Sequence, residues 1–168
     1  MTNTQNFLNS SRRIAMKVTN YTNFNLSDQQ MKLLLDDILK PQLNDLSYSI
    51  IQNKPARNTK KHLIEKFLSS GWINNISVFN KKKTKIQLYK NNIGAQIQFG
   101  NHAQVWFDVL KLYYAYKMNQ IEIAIIICLN KQTSLEINGG MTNFEDVNDI
   151  LYDLCKVMDL PLILVEIQ

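Results

Sequence analysis

The feature that most constrains the fold of this chain is a nine-residue segment, IEIAIIICL, at residues 121–129. Successive residues of a β-strand point to opposite faces of the sheet, and this segment is apolar on both faces for most of its length. Such a strand is typical of the centre of a sheet that helices cover on both sides. The segment is too short to cross a membrane as a helix. It therefore predicts a layered α/β fold, and 168 residues suffice for one such domain.

The flanking sequence predicts helices and strands that alternate through the second half of the chain. Ser27 and Gln30 have the spacing of a capping box for a helix over 29–40, which Pro41 should end. Asn58 is a suitable cap for a helix over 59–71. Trp106, Leu110, Tyr113 and Tyr114 recur at helical spacing. Residues 1–25 are expected to be irregular apart from a short strand near 16–21, and residues 26–168 to form one domain. The other predicted elements are strands at 76–80, 85–89, 93–99, 121–129 and 162–167, and helices at 103–118 and 143–158.

Positive charge is concentrated in one part of the chain. Between Lys54 and Lys85 there are nine basic residues and one acid, Glu65, so this segment carries +8 while the whole chain carries +5. A basic region on a slightly acidic body is the pattern expected of a protein that binds a polyanion. A solvated helix face followed by a lysine-rich turn would give the same clustering.

The two cysteines, Cys128 and Cys155, are too few and too widely spaced for a disulfide framework. They are expected to be buried thiols in a reducing, intracellular compartment. The N-terminal segment lacks the apolar core of a signal peptide. Its serine and asparagine content, with Arg12 and Arg13, leaves an organelle-targeting role open.

Two neighbouring predicted strands, KIQLY and IGAQIQF, carry three glutamines. Alternation places Ile86 and Leu88 on one face of the first strand and Gln87 on the other. If the strands pair as a hairpin, Gln87 shares a face with Gln96 and Gln98. A solvent-facing sheet could carry the same residues without any function.

In order and spacing, these motifs resemble the type II restriction endonucleases of the BglII and BstYI kind, which have the PD-(D/E)xK nuclease fold. That family has an Asp on one strand, a Glu nine residues later on the next strand, and a Gln two residues beyond. GAQIQFGN is similar to its Val-Glu-Val-Gln-Phe-Gly segment, and WFDVLKLYYAY to the helix that follows, including Asp108. NGGMTNFEDV and LPLILVEI resemble a later loop and the last strand, so the resemblance covers about residues 63–167.

The resemblance implies a restriction-endonuclease-like mixed sheet flanked by helices, but its catalytic positions are altered. The family's Asp is Gln87 here and its Glu is Gln96, while Gln98 is unchanged. Magnesium prefers anionic oxygen ligands, and a neutral amide can neither supply that charge nor act as a base. We therefore expect no intact catalytic site, no metal site and no cofactor. Carboxylates that could act instead are Glu65, Asp108, Glu122 and Glu136, of which Asp108 is expected to be structural.

Three functions follow from this pattern. The first is a catalytically inactive nuclease that binds nucleic acid, expected to be double-stranded DNA, or an assembly that contains it. The second is an active Mg²⁺-dependent endonuclease whose carboxylates were altered or come from elsewhere, and the third is a structural subunit of a larger complex. Family members act as homodimers, so a homodimer or larger assembly is also expected. The predicted nucleic-acid-binding residues are Lys60, Lys61, Lys81, Lys82, Lys83, Lys85, Asn101 and His102.

Overall fold

The computed structural model describes residues 13–43, 46–49, 55–78 and 84–168. Its strands are β1 (Arg13–Met16), β2 (Val18–Phe24), β3 (Leu46–Ser49), β4 (Ile73–Ser77), β5 (Lys85–Lys90), β6 (Ile93–Ile97), β7 (Ile123–Leu129) and β8 (Leu162–Ile167). Its helices are α1 (Asp28–Lys32), a π-helical segment (Leu33–Leu39), α2 (Lys40–Leu43), α3 (Pro55–Ser69), α4 (His102–Lys117), α5 (Lys131–Asn138) and α6 (Phe144–Leu154). None of these helices is long and apolar enough to cross a membrane.

Six strands form one mixed sheet in the order β2-β8-β7-β6-β5-β4, and β1 pairs separately with β3. β6, β7 and β8 run parallel, whereas β2, β5 and β4 join antiparallel to their neighbours. The apolar segment forms β7, which lies between β6 and β8 and is buried on both faces. The predicted α/β fold with a mixed sheet is therefore confirmed.

Alternate residues of the central strands pack into two separate apolar layers. Ile125 and Ile127 of β7 lie in the layer that contains Leu63 and Phe67 of α3. Ile126 lies in the opposite layer, with residues of α4 and α6. The sheet is thus covered on both faces, which explains why so much of β6, β7 and β8 is apolar.

The short strand expected near 16–21 is confirmed as part of β2, but the other strand residues between 13 and 24 were expected to be irregular, and that expectation is wrong. They belong to β1 and β2, and β2 pairs with β8 at the edge of the main sheet, for example Tyr21 with Val165. Threonine and asparagine fill much of β2, and asparagine is uncommon in strands. An edge strand can expose polar side chains on one face, so the sequence did not show how far this strand extends. Residues 1–12 lie outside the described part of the chain.

The first helical region begins as expected and ends later than expected. The N–H of Gln30 donates to the Ser27 hydroxyl, and the N–H of Ser27 donates to the Gln30 side chain, which confirms the capping box. The helix continues through Pro41 to Leu43. A proline ring normally collides with the carbonyl group four residues earlier. Here the preceding turns are π-helical, with the N–H of Lys40 donating to the Leu35 oxygen five residues back, and this wider turn accommodates the ring.

Several boundaries differ from the prediction. α3 begins at Pro55, a residue favoured at the first helical position, so Asn58 lies inside the helix and does not cap it. Two short elements, β3 and α5, were not predicted.

Cys128 is buried in β7 and Cys155 is half-buried after α6, and both are free thiols.

β5 and β6 form the predicted hairpin, with Leu88 opposite Ala95. Asn91 and Asn92 both have positive φ, as a two-residue hairpin turn requires. The predicted alternation on β5 fails, because Leu88 packs in the α3 layer and Ile86 in the α4 layer. The alternation of β5 is interrupted at Gln87, between these two residues. The register of β4 places Asn75 opposite Gln87, and Asn75 has a positive φ of 60°.

Candidate functional site

Gln96 and Gln98 lie next to each other on the face of the sheet that α4 covers, and both are buried. The Gln96 amide donates to the backbone oxygen of Lys85 over 3.4 Å. The Gln98 amide donates to the backbone oxygen of Asn101 over 3.3 Å. These bonds orient both side chains within the protein, so neither residue is simply polar surface.

Gln87 meets the other two glutamines through the backbone of β6. Its side-chain oxygen accepts a hydrogen bond of 2.9 Å from the N–H of Ile97, the residue between Gln96 and Gln98. The hairpin pairing ends at Leu88, so the Gln87 side chain supplies an acceptor to an N–H beyond that pairing. The three glutamines therefore converge where the β5–β6 ladder ends.

A buried ion pair on α4 lies beside the glutamines. The Lys111 ammonium is 2.6 Å from Asp108 Oδ1, and their side chains are only 8% and 4% exposed. Lys111 also donates over 3.2 Å to the Lys85 backbone oxygen, the same atom that accepts from Gln96. The Gln104 amide donates to Asp108 over 2.9 Å, and the Phe107 ring centre is 5.2 Å from the ammonium.

Lys60 brings a second ammonium from α3 toward this ion pair. Burial lowers the pKa of Lys60 below its ordinary value. The Asp108 carboxylate opposes that shift by raising the pKa, and the Lys111 ammonium adds to the lowering. Lys60 also lines an open groove beside β4 together with Arg57 and Lys61. Glu65 lines the same groove. A lysine whose pKa is perturbed and that lies in a groove is a candidate for a functional site.

The residues at this site do not fit a divalent metal ion. Gln87 and Gln96 are neutral amides, and the nearby Asp108 carboxylate is already paired with Lys111. Within the described residues, no cluster of three or more His, Cys, Asp or Glu side chains could hold a metal. The other candidate carboxylates are exposed: Glu65 on α3, where it lines the same groove as Lys60, Glu122 before β7 and Glu136 on α5.

One polar atom of the site has no hydrogen-bond partner within the described structure. It is the side-chain oxygen of Gln98, which is buried while the amide nitrogen of the same side chain is bonded to Asn101. A buried acceptor left open is costly. It can accept a hydrogen bond from water or another donor, but an unprotonated phosphate oxygen offers it no proton.

The remaining predicted residues are only partly near this centre. Lys61 is exposed on α3 and lies 3.7 Å from Glu65. Asn101 caps α4, its side chain accepting from the N–H of Gln104 over 3.0 Å, and His102 is the exposed first residue of that helix. Lys85 is exposed at the start of β5, and its backbone oxygen accepts hydrogen bonds from Gln96 and Lys111. Lys81, Lys82 and Lys83 lie outside the described residues.

Sequence reasoning missed Lys111, Gln104 and the position of Lys60 relative to Asp108. An Asp and a Lys three residues apart on a helix usually form an exposed surface pair. The available signal was position: Asp108 and Lys111 lie on the same side of α4 as the buried Val105, Val109 and Leu112. That placement would have indicated that the Asp108 and Lys111 side chains are buried.

Comparisons with known proteins agree with this fold. A family model for restriction endonuclease BglII/BglIII matches residues 22–167. The crystal structure of BglII complexed with a DNA 16-mer is similar at a TM-score of 0.66 and 17% identity, over 91% of this chain and 78% of that one. The crystal structure of free BglII is similar at a TM-score of 0.59 and 16% identity, over 91% of this chain and 79% of that one. A search among curated proteins finds no significant match.

The contact between Gln87 and β6 predicts that this residue has a structural role. Replacing it in Q87M keeps the side-chain length but removes the oxygen, which leaves the N–H of Ile97 without its acceptor. We expect a loss of about 1–3 kcal/mol in the free energy of unfolding, measured with urea. Q87E keeps an acceptor oxygen, so its free energy of unfolding should fall clearly less. Equal losses in the two variants would contradict this role.

Proposed function

Because the chain belongs to the BglII/BglIII restriction endonuclease family, we propose that it binds double-stranded DNA without cutting it. The observation that carries the proposal is the pair of buried amides, Gln96 and Gln98, beside a carboxylate already neutralised by Lys111. BglII, which has the same fold, has been crystallised in complex with a DNA 16-mer.

The electrostatics of the site favour binding without a metal. A carboxylate at position 96 would repel a phosphate unless a cation lay between them, whereas the Gln96 amide carries no charge. Lys60 and Lys111 supply two ammonium groups, and Asp108 neutralises only one of them. Arg57 and Lys61 also line the groove beside α3, where Glu65, 3.7 Å from Lys61, offsets part of their positive charge. Such contacts hold the phosphate backbone and do not read the base sequence.

The same residues argue against cleavage. Hydrolysis of a phosphodiester in such a site needs a metal to activate water and to stabilise the charge that develops during attack. Gln87 and Gln96 supply no negative charge for that metal, and the contact to Ile97 occupies the Gln87 oxygen. The role proposed here is therefore recognition or retention of DNA.

We predict that the protein binds a duplex at least as tightly in EDTA as in Mg²⁺, because Mg²⁺ competes for the phosphates, and that neither Mg²⁺ nor Mn²⁺ induces plasmid cleavage. Fluorescence anisotropy and gel electrophoresis would measure the two properties. Q96E should weaken binding in EDTA by restoring repulsion, while Q132E, a matched change on the exposed face of α5, should not. Cleavage by the wild-type protein would favour the active-endonuclease alternative, and the absence of any duplex binding would favour a structural subunit.

We also predict that Lys60 gives duplex binding an unusual pH dependence. Since its pKa is lowered, its positive charge is present below that pKa and is lost as pH rises through it, before an ordinary lysine titrates. Affinity should therefore fall with rising pH in the wild type and be retained to higher pH in K60R, because arginine stays charged. K61R, at an exposed neighbouring position, should follow the wild-type curve. Superimposable curves for wild type and K60R would exclude Lys60 from the interface.

A second part of the proposal concerns self-association through α4. Trp106, Phe107 and Leu110 are exposed on this helix, Leu110 to 53%, although they are large and apolar. A contiguous apolar surface of this kind usually marks an interaction site. We propose that this face of α4 contacts a second copy of the chain.

L110K should disrupt this association by placing a charge in the apolar contact. Light scattering after size-exclusion chromatography should give a dimer mass for the wild type and a monomer mass for the variant. L135K is the control, because Leu135 is also exposed, to 60%, but lies on α5. A monomeric wild type would contradict self-association.

A further inference from the structure

We infer that the ammonium group of Lys111 takes the place of the divalent cation in this site. The inference builds on the metal-free binding proposed above but concerns the protein's own cation. Lys111 projects from α4 to the Lys85 backbone oxygen, which also accepts from the Gln96 amide. It is held there by Asp108 at 2.6 Å and by the Lys85 backbone oxygen at 3.2 Å.

The partners of the ammonium are those that a hard metal ion would also use. A carboxylate oxygen and a backbone carbonyl oxygen are common ligands of Mg²⁺ and Mn²⁺. The Gln96 amide donates to the same Lys85 oxygen, so its side chain lies next to the ammonium. Lys111 thus fills the oxygen-lined position with its ammonium group.

Burial explains why this cation is not readily exchanged. The Asp108 and Lys111 side chains are almost fully removed from solvent, and either charge alone would be costly to bury. A metal ion entering the site would have to displace a covalently attached ammonium from its carboxylate. With a neutral residue at position 96, it would gain only one carboxylate ligand in return.

The inference predicts that a metal site can be recovered only if the ammonium is removed. Q96E adds a carboxylate but retains Lys111, and it should bind Mn²⁺ no better than the wild type. Q96E/K111M leaves two carboxylates and the Lys85 oxygen without a cation. Because ligand charge sets the affinity of such sites, we expect it to bind Mn²⁺ at least about tenfold more tightly than Q96E. Electron paramagnetic resonance of free Mn²⁺ would measure the Mn²⁺ affinities of both variants.

A matched control removes a different paired lysine. Lys117 lies 2.6 Å from Asp159 at the surface, so Q96E/K117M changes the net charge equally but leaves Lys111 in place. This control should bind Mn²⁺ as weakly as Q96E. Equal Mn²⁺ affinity in Q96E and Q96E/K111M, whether tight or absent, would overturn the inference.

Melting temperatures in EDTA provide a test that does not depend on recovering a metal site. If Lys111 neutralises position 96, Q96E should lower the melting temperature much less in the wild-type background than in the K111M background. Additive effects would contradict the inference. Either result is independent of duplex binding: a protein that binds no DNA but gains Mn²⁺ affinity in Q96E/K111M would refute the proposed function and support the role of Lys111.

Discussion

The buried ion pair between Asp108 and Lys111 is the interaction on which the functional region of this protein depends. It joins α4 to β5 through the Lys85 backbone oxygen and lies beside the glutamines of β6. Breaking a buried pair by removing one partner typically costs about 3–5 kcal/mol, because the remaining charge stays buried. Each of the two charges therefore requires the other, and the pair also limits which side chains can lie next to it. A neutral side chain at position 96 is compatible with the pair, whereas a carboxylate there would compete with Asp108 for the ammonium.

The three glutamines are integrated into the fold. Gln87 supplies an acceptor to the N–H of Ile97, and the amide nitrogens of Gln96 and Gln98 each have a backbone acceptor. Internal hydrogen bonds and the Lys111 ammonium therefore hold this region together. Lys60, whose pKa is lowered by burial near this pair, adds charge on the side of the open groove. This arrangement is the physical basis for proposing DNA binding without hydrolysis.

Much of the fold could be predicted from local sequence, since the patterns that specify it are local. The apolar run at 121–129 predicted the central strand, and Ser27 with Gln30 predicted a helix start. Contacts between distant segments were the difficult part. The sequence predicted a strand within β2 but not its pairing with β8, and the helix runs past Pro41 because of a π-helical turn. At the site, the nine-residue and two-residue spacings predicted that three glutamines share one face, whereas the structure shows Gln87 bonded to the backbone N–H of Ile97, which no sequence pattern indicated. The role of Lys111 depends on which face of α4 is buried, and the exposed Trp106 and Leu110 obscured that face.

The central claim, that this site functions with its own cation, can be tested most directly by nuclear magnetic resonance of the wild-type protein. The side-chain amide signals of Gln96 and Gln98 report on the site itself, and paramagnetic Mn²⁺ bound nearby would broaden them strongly. If Lys111 serves as the cation of this site, Mn²⁺ should broaden these signals no more than the signal of Gln132 on α5, and a DNA duplex added in EDTA should shift them. Selective broadening of the Gln96 and Gln98 signals by Mn²⁺ would contradict this claim.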